Sequence, residues 1–123
     1  MYIPENVQYT KSHEWVREIG GGVYEIGLTD YAQKELGDIV FVNLPQAGDA
    51  LTVGVSFADV ESVKAVSEIY SPLDGEVVEV NQTPLDAPEQ INKAPYETWL
   101  VRARGTLSAD AALSVAEYKK LIG

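Results

Sequence analysis

Val60-Glu61-Ser62-Val63-Lys64-Ala65 sets a lone lysine between two runs of strand-forming residues. Leu51-Thr52-Val53-Gly54-Val55-Ser56-Phe57 precedes it. Val66-Ser67-Glu68-Ile69-Tyr70 follows, closed by the turn formers Ser71-Pro72-Leu73-Asp74-Gly75. Val, Ile, Phe and Tyr suit a pleated, half-buried surface, so this pattern predicts two strands with Lys64 at or near the bend. A lysine at such a tip holds any attached group clear of the domain body. Taken alone it reads first as a solvated charge, the usual state of an exposed hairpin lysine.

Strand signals continue on both sides. Glu14-Trp15-Val16-Arg17-Glu18 and Val23-Tyr24-Glu25-Ile26-Gly27-Leu28 flank Gly20-Gly21-Gly22, which reads as a hairpin turn. Thr29 is placed as an N-cap, with Asp30 in the first turn, for a short helix through Leu36 that stops at Gly37. Ile39-Val40-Phe41-Val42 and the turn Pro45–Asp49 lead to the lysine segment. Pro84–Asn92 is turn-rich and reads as irregular chain over the sheet surface. Trp99–Arg104 returns as a strand, and Ser114-Val115-Ala116-Glu117 is a capping-box pattern opening a helix near 115–122 with Tyr118, Leu121 and Ile122 as its apolar face. Gly37–Asn43 and Gly75–Asn81 share a Gly-acid-β-Val-x-Val-Asn pattern 38 positions apart, which suggests two similar half-units around the lysine hairpin. The expected architecture is mainly β, a single domain over 1–123 with two facing sheets, Lys64 at one end and short peripheral helices.

Composition narrows the function. At 123 residues, one domain can bury roughly two thirds of its unfolded surface. A formal charge of −10, from 19 acidic against 9 basic side chains, repels nucleic-acid phosphates and anionic membranes and favours basic patches on proteins. No apolar run approaches the ~20 residues that span a bilayer. Residues 1–8 show no secretory or transit pattern, so a complete cytoplasmic protein is expected. The absence of cysteine excludes disulfides, thiolate metal sites and a cysteine nucleophile, and one histidine, His13, excludes a multi-histidine cluster. Redox chemistry here would have to ride on an attached group.

Tyr9-Thr10-Lys11-Ser12-His13-Glu14-Trp15-Val16, Ile26–Asp38, Val40–Pro45 and above all Glu61-Ser62-Val63-Lys64-Ala65 resemble the glycine cleavage system H proteins, over nearly the whole chain from Tyr9 to about Ile122. The resemblance implies a barrel-sandwich hybrid fold and lipoic acid amide-linked to Lys64. It also implies that Ser12 and Glu14 line the pocket sheltering the loaded arm. A biotin carrier would place methionine on both sides of the lysine, where this chain has Val63 and Ala65. Glu61 and Glu68 read either as recognition acids for a lipoylating enzyme or as charges that keep a sheet end soluble. Trp15 reads as core, and His13 as structural or surface. Pro88–Tyr96 resembles the family's segment near the pocket, but Thr98 stands where the family typically has glycine. A β-branched residue tolerates positive φ poorly, so a different local turn is expected there.

By the same resemblance the chain is a carrier and not an enzyme, expected to be monomeric. Its implied partners are glycine decarboxylase (P protein), aminomethyltransferase (T protein), dihydrolipoyl dehydrogenase (L protein) and the lipoylating enzyme. A lipoate-relay protein serving other lipoyl domains and an unmodified binding module of the same fold remain the alternatives.

Overall fold

The chain runs β1 (Gln8–Tyr9), β2 (Glu14–Gly20), β3 (Val23–Leu28), α1 (Asp30–Leu36), β4 (Ile39–Asn43), β5 (Ala50–Leu51), β6 (Ser56–Ser62), β7 (Val66–Tyr70), β8 (Leu73–Val80), α2 (Gln82–Asp86), α3 (Gln90–Lys93), β9 (Val101–Leu107) and α4 (Val115–Ile122) in the computed structural model, which describes residues 1–123. A six-stranded sheet has the order β1-β2-β3-β9-β8-β5, and a three-stranded sheet the order β4-β6-β7. All named pairings are antiparallel. The result is a mostly β, barrel-sandwich-like fold and not a closed barrel.

Burial follows the alternation of the strands. Val42, Val60 and Ile69 of the smaller sheet meet Leu28, Ala32, Ile91 and Leu100 in one core cluster. Val16, Ile26, Leu73, Val77 and Val101 form a second on the larger sheet, and Phe57 packs against both. Each such side chain contributes about 1.5–3 kcal/mol by leaving water. A third cluster joins Tyr9, Trp15, Tyr96 and Tyr118, with the Tyr9 and Tyr118 rings stacked at 4.4 Å.

The local caps form as the sequence dictates. Thr29 accepts from the Ala32 N–H at the start of α1, which ends at Gly37 with φ +76°. Ser114 and Glu117 close a reciprocal capping box on α4. Four expectations are corrected. The strand leading to Lys64 is Ser56–Ser62, not Leu51–Phe57, because Gly54 (φ +78°) turns the chain out of the larger sheet and into the smaller one. Ser71–Gly75 is not a closing turn, since β8 begins at the fully buried Leu73 and pairs Gly75 with Gly105. A Cβ at Gly75 would fall 2.0 Å from the Arg104 carbonyl oxygen, so close strand approach is what this glycine serves. The segment 84–92 holds parts of two single-turn helices, α2 and α3, the first capped by Asn81 accepting from Thr83 N–H. On α4 only Tyr118 is buried, while Leu121 stays exposed.

The two Gly-acid-β repeats do fall in different sheets, as β4 and β8. Their glycines differ in role, however: Gly37 ends a helix and Gly75 sits inside a strand.

Candidate functional site

Val63-Lys64-Ala65 forms the tip of the β6–β7 hairpin. Ser62 builds that tip. Its backbone N–H donates to the Ala65 carbonyl (2.8 Å), and its Oγ accepts from the N–H groups of Lys64 and Ala65, both at 3.1 Å. Val63 N–H donates to the Asp38 carbonyl (3.0 Å), which ties the tip to the start of β4. Lys64 itself is exposed. Its aliphatic stem passes over Gly37, where an added Cβ would lie 3.3 Å from Lys64 Cε.

Glu14 is the opposite kind of residue. It opens β2, is inaccessible to solvent, and no lysine or arginine forms an ion pair with it. Oε1 accepts from Thr10 Oγ1 (2.5 Å) and Ser12 Oγ (2.6 Å), and Oε2 from the Tyr70 backbone N–H (3.2 Å). Burial pushes its pKa above the ordinary carboxylate value, and these hydrogen bonds oppose the rise. The Thr10–Glu14 loop is self-bracing, with Thr10 Oγ1 also accepting from the Glu14 N–H (3.0 Å). Beside the carboxylate lies a hollow of about 170 Å³, lined among others by Thr10, Ser12, Gly54, Tyr70 and Ala111.

A second hollow, of about 240 Å³, runs between α1 and β7 and is lined by Ser12, His13, Tyr31, Glu35, Leu36 and Ser67. It starts next to the lysine hairpin, at Leu36 and Ser67, and shares Ser12 with the hollow at Glu14. The two form an interrupted track of adjacent hollows that share the Ser12 wall, and Lys64 lines neither. Along β7 the separation from Lys64 to Tyr70 is roughly 20 Å at strand rise. His13 forms the wall of this track. Its φ of +71° is the one positive value outside glycine, and Nδ1 lies 2.8 Å from Tyr118 Oη, which in turn meets Thr29 Oγ1 at 2.9 Å. Desolvation lowers the His13 pKa, with Glu35 pulling the other way.

The structure therefore brings Ser12 and Glu14 into direct contact and leaves Lys64 at the far end of the track. Glu61 is half-buried on β6. Glu68 is exposed on β7 and accepts from Ser56 Oγ. Neither touches Glu14. Pro88–Tyr96 lines neither hollow; it packs elsewhere, with Asn92 bonding Gly37 O and the Ile39 N–H. Thr98 makes no positive-φ turn: it is buried, donates from its N–H to Ala94 O and from Oγ1 to Gln90 O. Thr10, Ser62 and Tyr70 were not singled out from sequence. A serine two residues before a lysine in a tight bend is the signal that could have flagged Ser62, since its hydroxyl bonds the next backbone groups. The Tyr70 role is a backbone one and leaves no mark in the letters.

Two facing sheets with one lysine on a hairpin tip are the arrangement that the resemblance to lipoyl carriers implied, proteins that serve enzymes through a group they bear. The family model for glycine cleavage H-protein matches residues 7–122. The chain is 52% identical over 99% of its length to the glycine cleavage system H protein of Lachnoclostridium phytofermentans, covering 96% of that protein. It is 50% identical over 98% of its length to that of Herpetosiphon aurantiacus, covering 93%. A crystal structure of a glycine cleavage system H protein from Mycobacterium marinum superposes with a TM-score of 0.90 at 35% identity, covering 98% of this chain and 99% of that one. The chain belongs to the glycine cleavage H-protein family, whose members are lipoyl carriers and not catalysts. No helix is long and apolar enough to cross a membrane.

Proposed function

We propose that Lys64 carries lipoic acid in amide linkage and that the chain shuttles the aminomethyl group of glycine on that arm, within the cytoplasm. The observation that carries this reading is the track itself. An exposed lysine lies near one end of two neighbouring hollows that share the Ser12 wall, and a buried carboxylate with no ion-pair partner lines the other end. The residues fit the group. The Lys64 stem has room over Gly37, the track walls mix apolar and hydroxyl side chains, and the carboxylate sits where a cationic end would come to rest. Burial strengthens such a charge pairing well beyond its value in water.

When bound, the lipoyl group supplies disulfide and thiol chemistry that a cysteine-free chain lacks. The chain's own residues do the rest. Ser62 fixes the tip that presents Lys64. Ser12 and Thr10 aim the Glu14 carboxylate, and the closed corner around it keeps water from the loaded amine. Glycine decarboxylase, aminomethyltransferase and dihydrolipoyl dehydrogenase are the partners this reading requires, with a lipoylating enzyme that uses Glu61 and Glu68 as recognition acids. Tethering raises the effective concentration of the reactive group at each of them. Strong acidity favours fast, salt-sensitive association with basic surfaces.

The deciding experiment is intact mass and peptide mapping after incubation with a lipoylating enzyme, lipoate and ATP. One lipoyl addition on the Lys64 peptide, absent in Lys64→Ala, supports the assignment. An unmodified wild type would leave a binding module of the same fold.

A further inference from the structure

The outer face of the three-stranded sheet has no partner within the chain. Antiparallel register aligns Phe41 with Glu61 and Glu61 with Val66, so these three side chains form one row on the same face. The buried set Val42, Val60 and Ile69 points the other way. Phe41 is 48% exposed and Val66 62%, and Val40 and Val63 beside them reach 57% and 66%. The row is the last rung before the lysine tip, because Glu61–Val66 directly precedes Val63-Lys64-Ala65. The three strands contain no lysine or arginine, and their charged residues are Asp59, Glu61 and Glu68. Natural sheets usually protect exposed edges with lysine. Apolar side chains interrupted by Glu61, with Asp59 and Glu68 further along the face and Lys64 alone at its tip end, complement an apolar patch that carries basic side chains.

We propose that Val40, Phe41, Val63 and Val66 form the docking face for the enzyme that acylates Lys64, one presenting an apolar contact flanked by Lys or Arg. This rests on the lipoyl assignment above. Geometry selects this occupant over the other partners. An enzyme acting at the far end of a long arm can work at a distance from the tip. The acylating enzyme must bring its activated lipoyl carbonyl, an acyl-adenylate or thioester, within bonding distance of Nζ. There the amine attacks, the amide C–N bond forms, the C–O or C–S bond to the leaving group breaks, and Nζ gives up a proton. Nothing is oxidised or reduced. Such an approach covers the tip and the row adjoining it.

The test measures lipoylation kinetics of the full unmodified chain with a purified lipoate ligase, lipoate and ATP. The variants are Phe41→Ser, Val66→Ser and, as a control on the other sheet, Ile19→Ser. Both face variants should raise KM for the carrier roughly tenfold with kcat unchanged, the scale of a central apolar contact. Ile19→Ser should match wild type, and face variants lipoylated to completion should support normal glycine–bicarbonate exchange. Since the substituted side chains face solvent, melting temperatures should hold, and either variant suffices if the other folds poorly. An unchanged KM in the folded variants overturns the proposal while the lipoyl assignment stands. So does a loss of exchange without a change in lipoylation, which would give the face to another partner. A concentration-dependent dimer abolished by Phe41→Ser would give it to a second copy. A wild type that accepts no lipoate removes both the face and the assignment.

Discussion

Lys64 and Glu14 lie toward opposite ends of two neighbouring hollows and are held in opposite ways. The lysine is exposed, and its position is set by backbone hydrogen bonds gathered on Ser62, with the side chain free over Gly37. The glutamate is wholly buried, and both of its oxygens are engaged by groups from two separate parts of the chain. The proposed carrier role would use this contrast: an end that visits partners gains from low local order, whereas an end that receives a charge gains from donors already in place, because no reorganisation is then needed.

The contrast predicts how each end fails. Lys64→Arg keeps the charge and the hairpin, so melting should match wild type while glycine–bicarbonate exchange with the partner enzymes falls to background. Residual exchange would show a second attachment point. Glu14→Ala should do the reverse in part, destabilising by about 2 kcal/mol because the hydroxyls of Thr10 and Ser12 and the Tyr70 N–H lose their carboxylate acceptor at a buried position. Denaturant titration measures it, and a loss under about 0.5 kcal/mol, below the usual cost of an unpaired buried donor, would mean that water enters the corner. Glu14→Gln retains shape and should speed non-enzymatic ammonia release from the aminomethyl-loaded form; an unchanged rate returns Glu14 to a structural role. Ser62→Ala should cost about 1 kcal/mol. It should also speed hydrogen exchange at the Lys64 and Ala65 amides before any other site.

The two ends also differ in how far the letters reveal them. The hairpin was legible because β6 and β7 are neighbours in sequence and alternation is a local signal. Its upstream boundary was not, since Gly54 reads as part of a valine-rich strand until the partner strands show that the chain changes sheets there. Likewise Leu73-Asp74-Gly75 looks like a turn, and only the distant Gly105 makes it a strand. At the buried end, the Ser12–Glu14 contact lies within a single bend and could be inferred. The Tyr70 N–H comes from 56 residues away, and the ring that holds His13 from 105. Thr98 avoids positive φ as its β-branch demands, while the one left-handed non-glycine residue is His13, where the distant Tyr118 hydroxyl and the tilted Tyr31 ring lie against the imidazole.

The smallest effect reads the buried end through the pH dependence of stability. Burial raises the Glu14 pKa above its ordinary 4.5. Above pH 4.5 the folded chain therefore binds more protons than the unfolded chain, and stability declines with rising pH until Glu14 has ionised in the folded state. Desolvation lowers the His13 pKa below its ordinary 6.5. Below pH 6.5 the unfolded chain binds more protons, so stability declines as pH falls from there. The two slopes oppose each other between pH 4.5 and 6.5. Glu14→Gln removes the first slope and should expose a loss of stability on the acid side. His13→Asn, which tolerates the positive φ, removes the second and should expose a loss on the alkaline side. Urea unfolding from about pH 4.5 to about 7.5 reads both; if the two variants tilt the profile in the same direction, the groups are not the opposed pair that their surroundings make them.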